Sequence, residues 1–138
     1  MAKIDSYVLD SYALIGYLED EPFADWLQAL LRSADRGECR LYLHAIQLGE
    51  VYYITLREQG RATADLAYSR IKAFPVILDD TIDEKLLLTA ASLKARFPIS
   101  YADAFAAALS QQHHAQLVTG DPEFKPLQTQ GHIQVHWL

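Results

Sequence analysis

Four acids, Asp10, Glu50, Asp103 and Asp121, are the residues whose type and setting suggest chemistry. Asp10 ends the apolar run Tyr7-Val8-Leu9, and Asp121 lies just past Val118-Thr119-Gly120. Asp103 opens a helical segment after Pro98-Ile99-Ser100. Ligands of open parallel sheets bind beyond the carboxyl ends of the strands, where acids of this kind would collect. Taken singly, each of these three is better read as a helix cap: Asp10 or Ser11 before a first helix, Asp103 completing a Ser100-x-x-Asp103 box, Asp121 preceding Pro122 at N1. Glu50 resists that account. It lies beyond the first helical turn, among Ile46, Leu48, Val51, Tyr52, Tyr53 and Ile54, where a carboxylate needs a partner. Four acids drawn together from separated parts of a chain repel unless a cation lies between them. Hard oxygen donors, without cysteines or a histidine pair, select magnesium or manganese over zinc. One or two such ions would orient and activate a water for in-line attack on phosphorus and stabilise the leaving oxygen.

The elements that must position these acids alternate between strand and helix. Tyr7 to Asp10 reads as a strand. A helix through Ala13, Leu14, Tyr17 and Leu18 follows, broken at Glu21-Pro22, and a second amphipathic helix from Phe23 to Leu31 closes at Gly37. Arg40 to His44 is a strand, Ala45 to Gln59 a helix ended by Gly60, and Ala62 to Phe74 a helix stopped by Pro75. Val76 to Leu78 is a strand. Thr81-x-x-Glu84 predicts a capping box for a helix to about Arg96, and Ser100-x-x-Asp103 one for a helix to about His113. Strands at Gln116 to Thr119 and Ile133 to Trp137, with a short helical turn after Asp121-Pro122, complete the chain. Strands separated by helices of about ten residues or more predict a mostly parallel sheet covered on both faces, an α/β/α sandwich.

The chain has 138 residues, 51% of them hydrophobic, which predicts one domain over 1–138 with a substantial core. No apolar stretch reaches the length of a membrane span, and Met1-Ala2-Lys3-Ile4-Asp5 lacks a signal-peptide core, so a soluble cytoplasmic protein is expected. The lone Cys39 excludes an internal disulfide and a cysteine-rich zinc site, and reads as core filler. A net charge of −6 runs against nucleic-acid binding, unless clustered carboxylates are neutralised by divalent cations and a local basic strip does the rest. It also suits a basic protein partner.

Tyr7-Val8-Leu9-Asp10-Ser11-Tyr12-Ala13-Leu14, Leu48-Gly49-Glu50-Val51, Ala102-Asp103-Ala104-Phe105-Ala106-Ala107-Ala108 and Leu117-Val118-Thr119-Gly120-Asp121-Pro122-Glu123-Phe124 together resemble, in order and spacing, the PIN-domain nucleases, and within them the VapC-type toxins of toxin–antitoxin modules. The resemblance spans nearly the whole chain. It implies a Mg2+-dependent endoribonuclease, with Mn2+ a substitute, in which Asp10, Glu50 and Asp103 hold the main metal and Asp121 contributes to it or to a second one. Ser11 and Thr119 become polar support near the site. It also implies a homodimer and a cognate antitoxin whose tail covers a groove near the acids. Tyr12, where many relatives carry a small hydroxyl residue, departs from the pattern without removing an acid.

Other features read more simply. Asp79, Asp80, Asp83 and Glu84 are explained by capping, His113-His114 by contact with the carbonyls ending a helix, and His132 and His136 as lining the last strand. Arg57, Arg61, Arg70 and Lys72 are candidate phosphate contacts, with Arg57 and Arg61 the foremost for RNA; solvated surface charge is the competing reading. Phe23, Trp26, Tyr52, Tyr53 and Tyr68 at helical spacings suggest core or a subunit interface. Two rival functions stand beside the nuclease: a PIN-like module that binds RNA or protein without cutting, its acids kept as caps, and a phosphoacceptor domain of the receiver type. The second lacks a suitable lysine at a late strand end.

Overall fold

The computed structural model describes residues 4–138; Met1 to Lys3, read above as part of an N-terminus without a signal-peptide core, lie outside them. Five strands, β1 (Asp5–Leu9), β2 (Cys39–His44), β3 (Ile77–Asp79), β4 (Gln116–Thr119) and β5 (Val135–Trp137), form one parallel sheet in the order β3-β2-β1-β4-β5. Helices α1 (Ser11–Leu18) and α2 (Ala24–Asp35) join β1 to β2, and α3 (Ala45–Gln59) and α4 (Arg61–Lys72) join β2 to β3. Helices α5 (Glu84–Arg96) and α6 (Tyr101–His113) then carry the chain across to β4, and a 3-10 turn (Pro122–Phe124) with α7 (Lys125–Thr129) leads to β5. The mostly parallel α/β/α sandwich expected from the sequence is therefore the fold.

The strands distribute their side chains by simple alternation, as the two-residue period of a strand requires. Val8 and Leu117 face a core built with α5, α6, Phe124 and Leu127. Leu9, Leu41, Leu43 and Val118 face a second core, shared with α1, α2, α3 and Ile71 of α4. Cys39 packs into that second core, as the filler reading anticipated. The α3–α4 corner turns on Gly60, whose φ of +88° is a conformation that costs a side-chain-bearing residue strain. No described helix is long and apolar enough to cross a membrane.

Because β2 and β3 lie on one side of β1 while β4 and β5 lie on the other, the strand order reverses between β1 and β4. Such a switch point opens a crevice at the carboxyl ends of the strands, and Asp10 and Asp121 follow the two strands that flank it.

Two local expectations are corrected. Helix α5 begins at Glu84 with Asp83, not Thr81, as its cap: Leu86 N–H donates to Asp83 Oδ1 at 2.8 Å. Thr81 is already committed. Its N–H and hydroxyl both donate to Asp79 Oδ1 at 2.9 Å, and its carbonyl pairs with His44 Nε2 at 2.9 Å, so the capping role passes to the next suitable carboxylate. His113 does not seek the last carbonyls of α6; its ring stacks on Tyr42 at 3.7 Å between centroids and 9° between planes. His136 likewise stacks on Trp26, whereas His132 precedes β5 and meets Phe97 edge-on.

Candidate metal centre

Asp10 caps α1, its Oδ1 accepting from Ala13 N–H at 2.9 Å, so the capping role read from the sequence is real. The cap does not exhaust its environment. Asp10 is only 1% exposed, and the nearby hydroxyl of Thr119 favours its ionised form. Thr119 Oγ1 also accepts from Asp121 N–H at 3.0 Å. One hydroxyl at the end of β4 thus holds the backbone that carries Asp121 and stands beside the side chain that follows β1.

Asp121 in turn accepts from Glu123 N–H at 2.9 Å, opening the 3-10 turn with Pro122 at its first position. Asp103 lies in the first turn of α6, where its N–H donates to the capping Ser100 Oγ at 3.0 Å. Glu50 reaches the same region from α3 and accepts a hydrogen bond from Ser11 Oγ, which is the partner its apolar surroundings demanded.

Asp103, Asp121 and Glu123 each offer a carboxylate oxygen within 4.8 Å of the others. Of this tight triple, the sequence reading named the first two as ligands and passed over Glu123. The readable signal was Asp121-Pro122-Glu123: a proline-initiated turn brings the acid two residues on back to the same side. Asp10 and Glu50 stand outside the triple but within its electrostatic reach. Burial pushes the Asp10 carboxyl up to about 7, with Asp103 and Asp121 adding to the effect and the Thr119 hydroxyl and the bond from Ala13 opposing it. Burial also pushes Asp103 up to about 6, helped by the charges of Glu50, Asp121 and Glu123 and opposed by Ser100. The cluster is crowded with negative charge at neutral pH.

Glu50, Asp103 and Asp121 line a cavity of about 440 Å³ together with Glu19 and Glu21, and among the described residues no lysine or arginine lines it. Its apolar wall is Tyr12, Ile15, Phe23 and Ile54. The Phe23 ring rests on Gly16, where an added Cβ would sit 2.0 Å from its Cζ, so glycine in mid-helix is required for that close approach. Arg57 and Arg61, the foremost candidate RNA contacts, are not part of this lining; they sit exposed at the α3–α4 corner, Arg57 over the Tyr53 ring at 5.6 Å. Lys72 similarly lies over Tyr68 at 5.9 Å.

The donor set consists of carboxylate oxygens alone, it converges at a strand-order switch, and among the described residues no lysine or arginine lines the cavity beside it. That combination fits a hard divalent cation of the magnesium or manganese type.

A family model described as PIN domain matches residues 7–128 of the chain. No curated protein matches it in sequence. Among solved structures, VapBC2 from Rickettsia felis bound to a promoter DNA fragment is similar with a TM-score of 0.74 at 15% identity, covering 95% of this chain and 97% of that one. VapBC-1 from nontypeable Haemophilus influenzae is similar with a TM-score of 0.69 at 21% identity, over 96% and 97% of the two chains. VapC20 of Mycobacterium tuberculosis, described as a toxin that cleaves the sarcin–ricin loop, gives 0.70 at 17% identity over 94% and 98%.

Proposed function

The chain belongs to the PIN-domain family, and from that premise we propose that it is a divalent-metal-dependent endoribonuclease, a single-domain VapC-type toxin that a cognate antitoxin holds in check. The observation that carries this reading is the convergence of Asp103, Asp121 and Glu123 at the switch point, with Asp10 and Glu50 in electrostatic reach and, among the described residues, no lysine or arginine lining the cavity beside them.

Asp103, Asp121 and Glu123 would hold the ion most directly, with Asp10 and Glu50 completing its surroundings. Bound there, magnesium or manganese supplies positive charge that binds the phosphodiester, favours deprotonation of the attacking water and stabilises the leaving oxygen. The remaining work falls to the protein. Ala13 N–H fixes the Asp10 carboxylate and Ser11 fixes that of Glu50, so neither has to reorganise when charge develops nearby. Because Asp10 and Asp103 hold their protons to about 7 and about 6 without a cation, cation entry near neutrality releases protons from the site. Arg57 and Arg61, exposed on the corner after α3, are proposed as phosphate contacts for the flanking RNA.

An antitoxin partner is supported by the toxin–antitoxin complexes among the structural neighbours and by the acidic cavity, which favours a basic segment. A homodimer and a cytoplasmic location belong to the same reading. The test is RNA cleavage by purified protein with Mg2+ or Mn2+, alongside Asp103→Asn. Cleavage that needs the metal, stops on chelation and disappears in the folded variant is expected; equal cleavage by Asp103→Asn would overturn the mechanism. A binding module would instead retain RNA without cutting it.

A further inference from the structure

Gln47 has no place in the chemistry described so far, yet it is fully buried and costs the fold something. Its Nε2 donates to the Ala102 carbonyl at 2.6 Å, while its Oε1 meets no hydrogen-bond partner among the described residues. The amide orientation follows from chemistry: reversed, it would set oxygen against the carbonyl oxygen. A buried acceptor left unpaired is destabilising, and Leu or Met would fill the same space without one. The compensation lies in where the donated bond runs.

Gln47 precedes Glu50 by three residues on α3, so the two share a helix face, and Ala102 is the residue before Asp103 on α6. The bond therefore joins the turn that carries Glu50 to the turn that carries Asp103. Apolar packing does little to make that join. The buried apolar residues of α3, Leu48 and Val51, belong to one core and those of α6 to the other, with only the half-buried Ile46 of α3 packing against the α6 side. Glu50 and Asp103 line one cavity, and their like charges push the two turns apart.

We propose that Gln47 is a positioning residue: its bond to the Ala102 carbonyl holds α3 against α6 so that Glu50 and Asp103 keep the separation a shared divalent cation requires. This rests on the metal-dependent reading above. Gln47→Met keeps length and volume but removes both the donor and the orphaned acceptor. The expected result is a metal-free melting temperature no lower than wild type, an about tenfold higher half-saturating Mn2+ concentration in calorimetry, and a lower kcat on RNA with little change in KM. Gln47→Leu should behave alike.

Wild-type Mn2+ affinity and kcat in either variant would overturn the proposal while leaving the nuclease reading intact. Loss of the fold in both would also overturn it, since the amide would then be structural. If wild type itself binds no Mn2+ and Asp103→Asn behaves identically, the metal reading fails and this inference fails with it.

Discussion

Replacing Asp10 by Asn should stabilise the metal-free protein at alkaline pH, although the residue caps a helix and sits in the core. Asn is as good a cap as Asp, so the bond from Ala13 N–H survives. What disappears is a carboxylate that is 1% exposed and whose pKa burial lifts to about 7, against about 3.9 in the unfolded chain. A carboxyl raised on folding binds its proton more tightly in the native state. Its effect on stability is therefore least adverse below about pH 4, worsens as pH climbs through the window from about 4 to about 7, and levels off above that.

At about 1.4 kcal/mol for each pKa unit, the full shift corresponds to about 4 kcal/mol at pH 8. Asp103, pushed up to about 6, adds a slope of the same sign. Allowing for imperfect accommodation of the new amide, Asp10→Asn should gain about 2–4 kcal/mol at pH 8, or roughly 7–14 °C for a chain of this size. The gain should shrink towards zero by about pH 4. Thermal melts of both proteins from pH 4 to 8 in chelator measure this directly. Saturating Mn2+ should then narrow or reverse the order, because a ligand at a hundredfold its Kd adds about 2.7 kcal/mol to the protein that binds it. A variant less stable than wild type at pH 8 in chelator, or a difference that ignores pH, would refute the reasoning.

Thr119→Val removes the hydroxyl that accepts from Asp121 N–H and favours the ionised form of Asp10; it should cost about 1–3 kcal/mol in urea unfolding and weaken Mn2+ binding measured by calorimetry. Reversing Arg57 and Arg61 together to Glu should weaken RNA binding to a non-cleaving Asp103→Asn trap and make its salt dependence shallower by up to two units in the logarithmic slope; an unchanged slope would remove both from the RNA path.

Much of this site is legible in the sequence because strand-end acids have a topological meaning. Once Tyr7 to Leu9 and Gln116 to Thr119 read as strands of a parallel sheet, Asp10 and Asp121 follow as residues at its carboxyl edge, and both do sit there. Glu50 was legible for a different reason, as a charge among apolar neighbours that had to be explained. Its partner Ser11, 39 positions away, is set by tertiary packing. Glu123 was harder because an exposed acid in a short turn looks like ordinary surface, and only the geometry of the turn brings it to Asp103 and Asp121.

The errors have the same origin. Thr81-x-x-Glu84 fits a capping box locally, but Asp79 and His44, which come from strand ends β3 and β2, have already taken the groups of Thr81. His113 was judged by its position at a helix end, whereas the ring of Tyr42 on the sheet face beneath α6 decides its orientation. Gln47 carried no signal at all: a glutamine in an amphipathic helix is unremarkable until its burial is known.

Crystals soaked in Mn2+ and measured for anomalous scattering test the gathering of these acids most directly. A single strong peak, or two adjacent ones, at coordinating distance from Asp103, Asp121 and Glu123 is the predicted result, lost in Asp103→Asn crystals of the same form. Well-ordered acids without a peak between them, or manganese bound only elsewhere on the surface, would contradict the account.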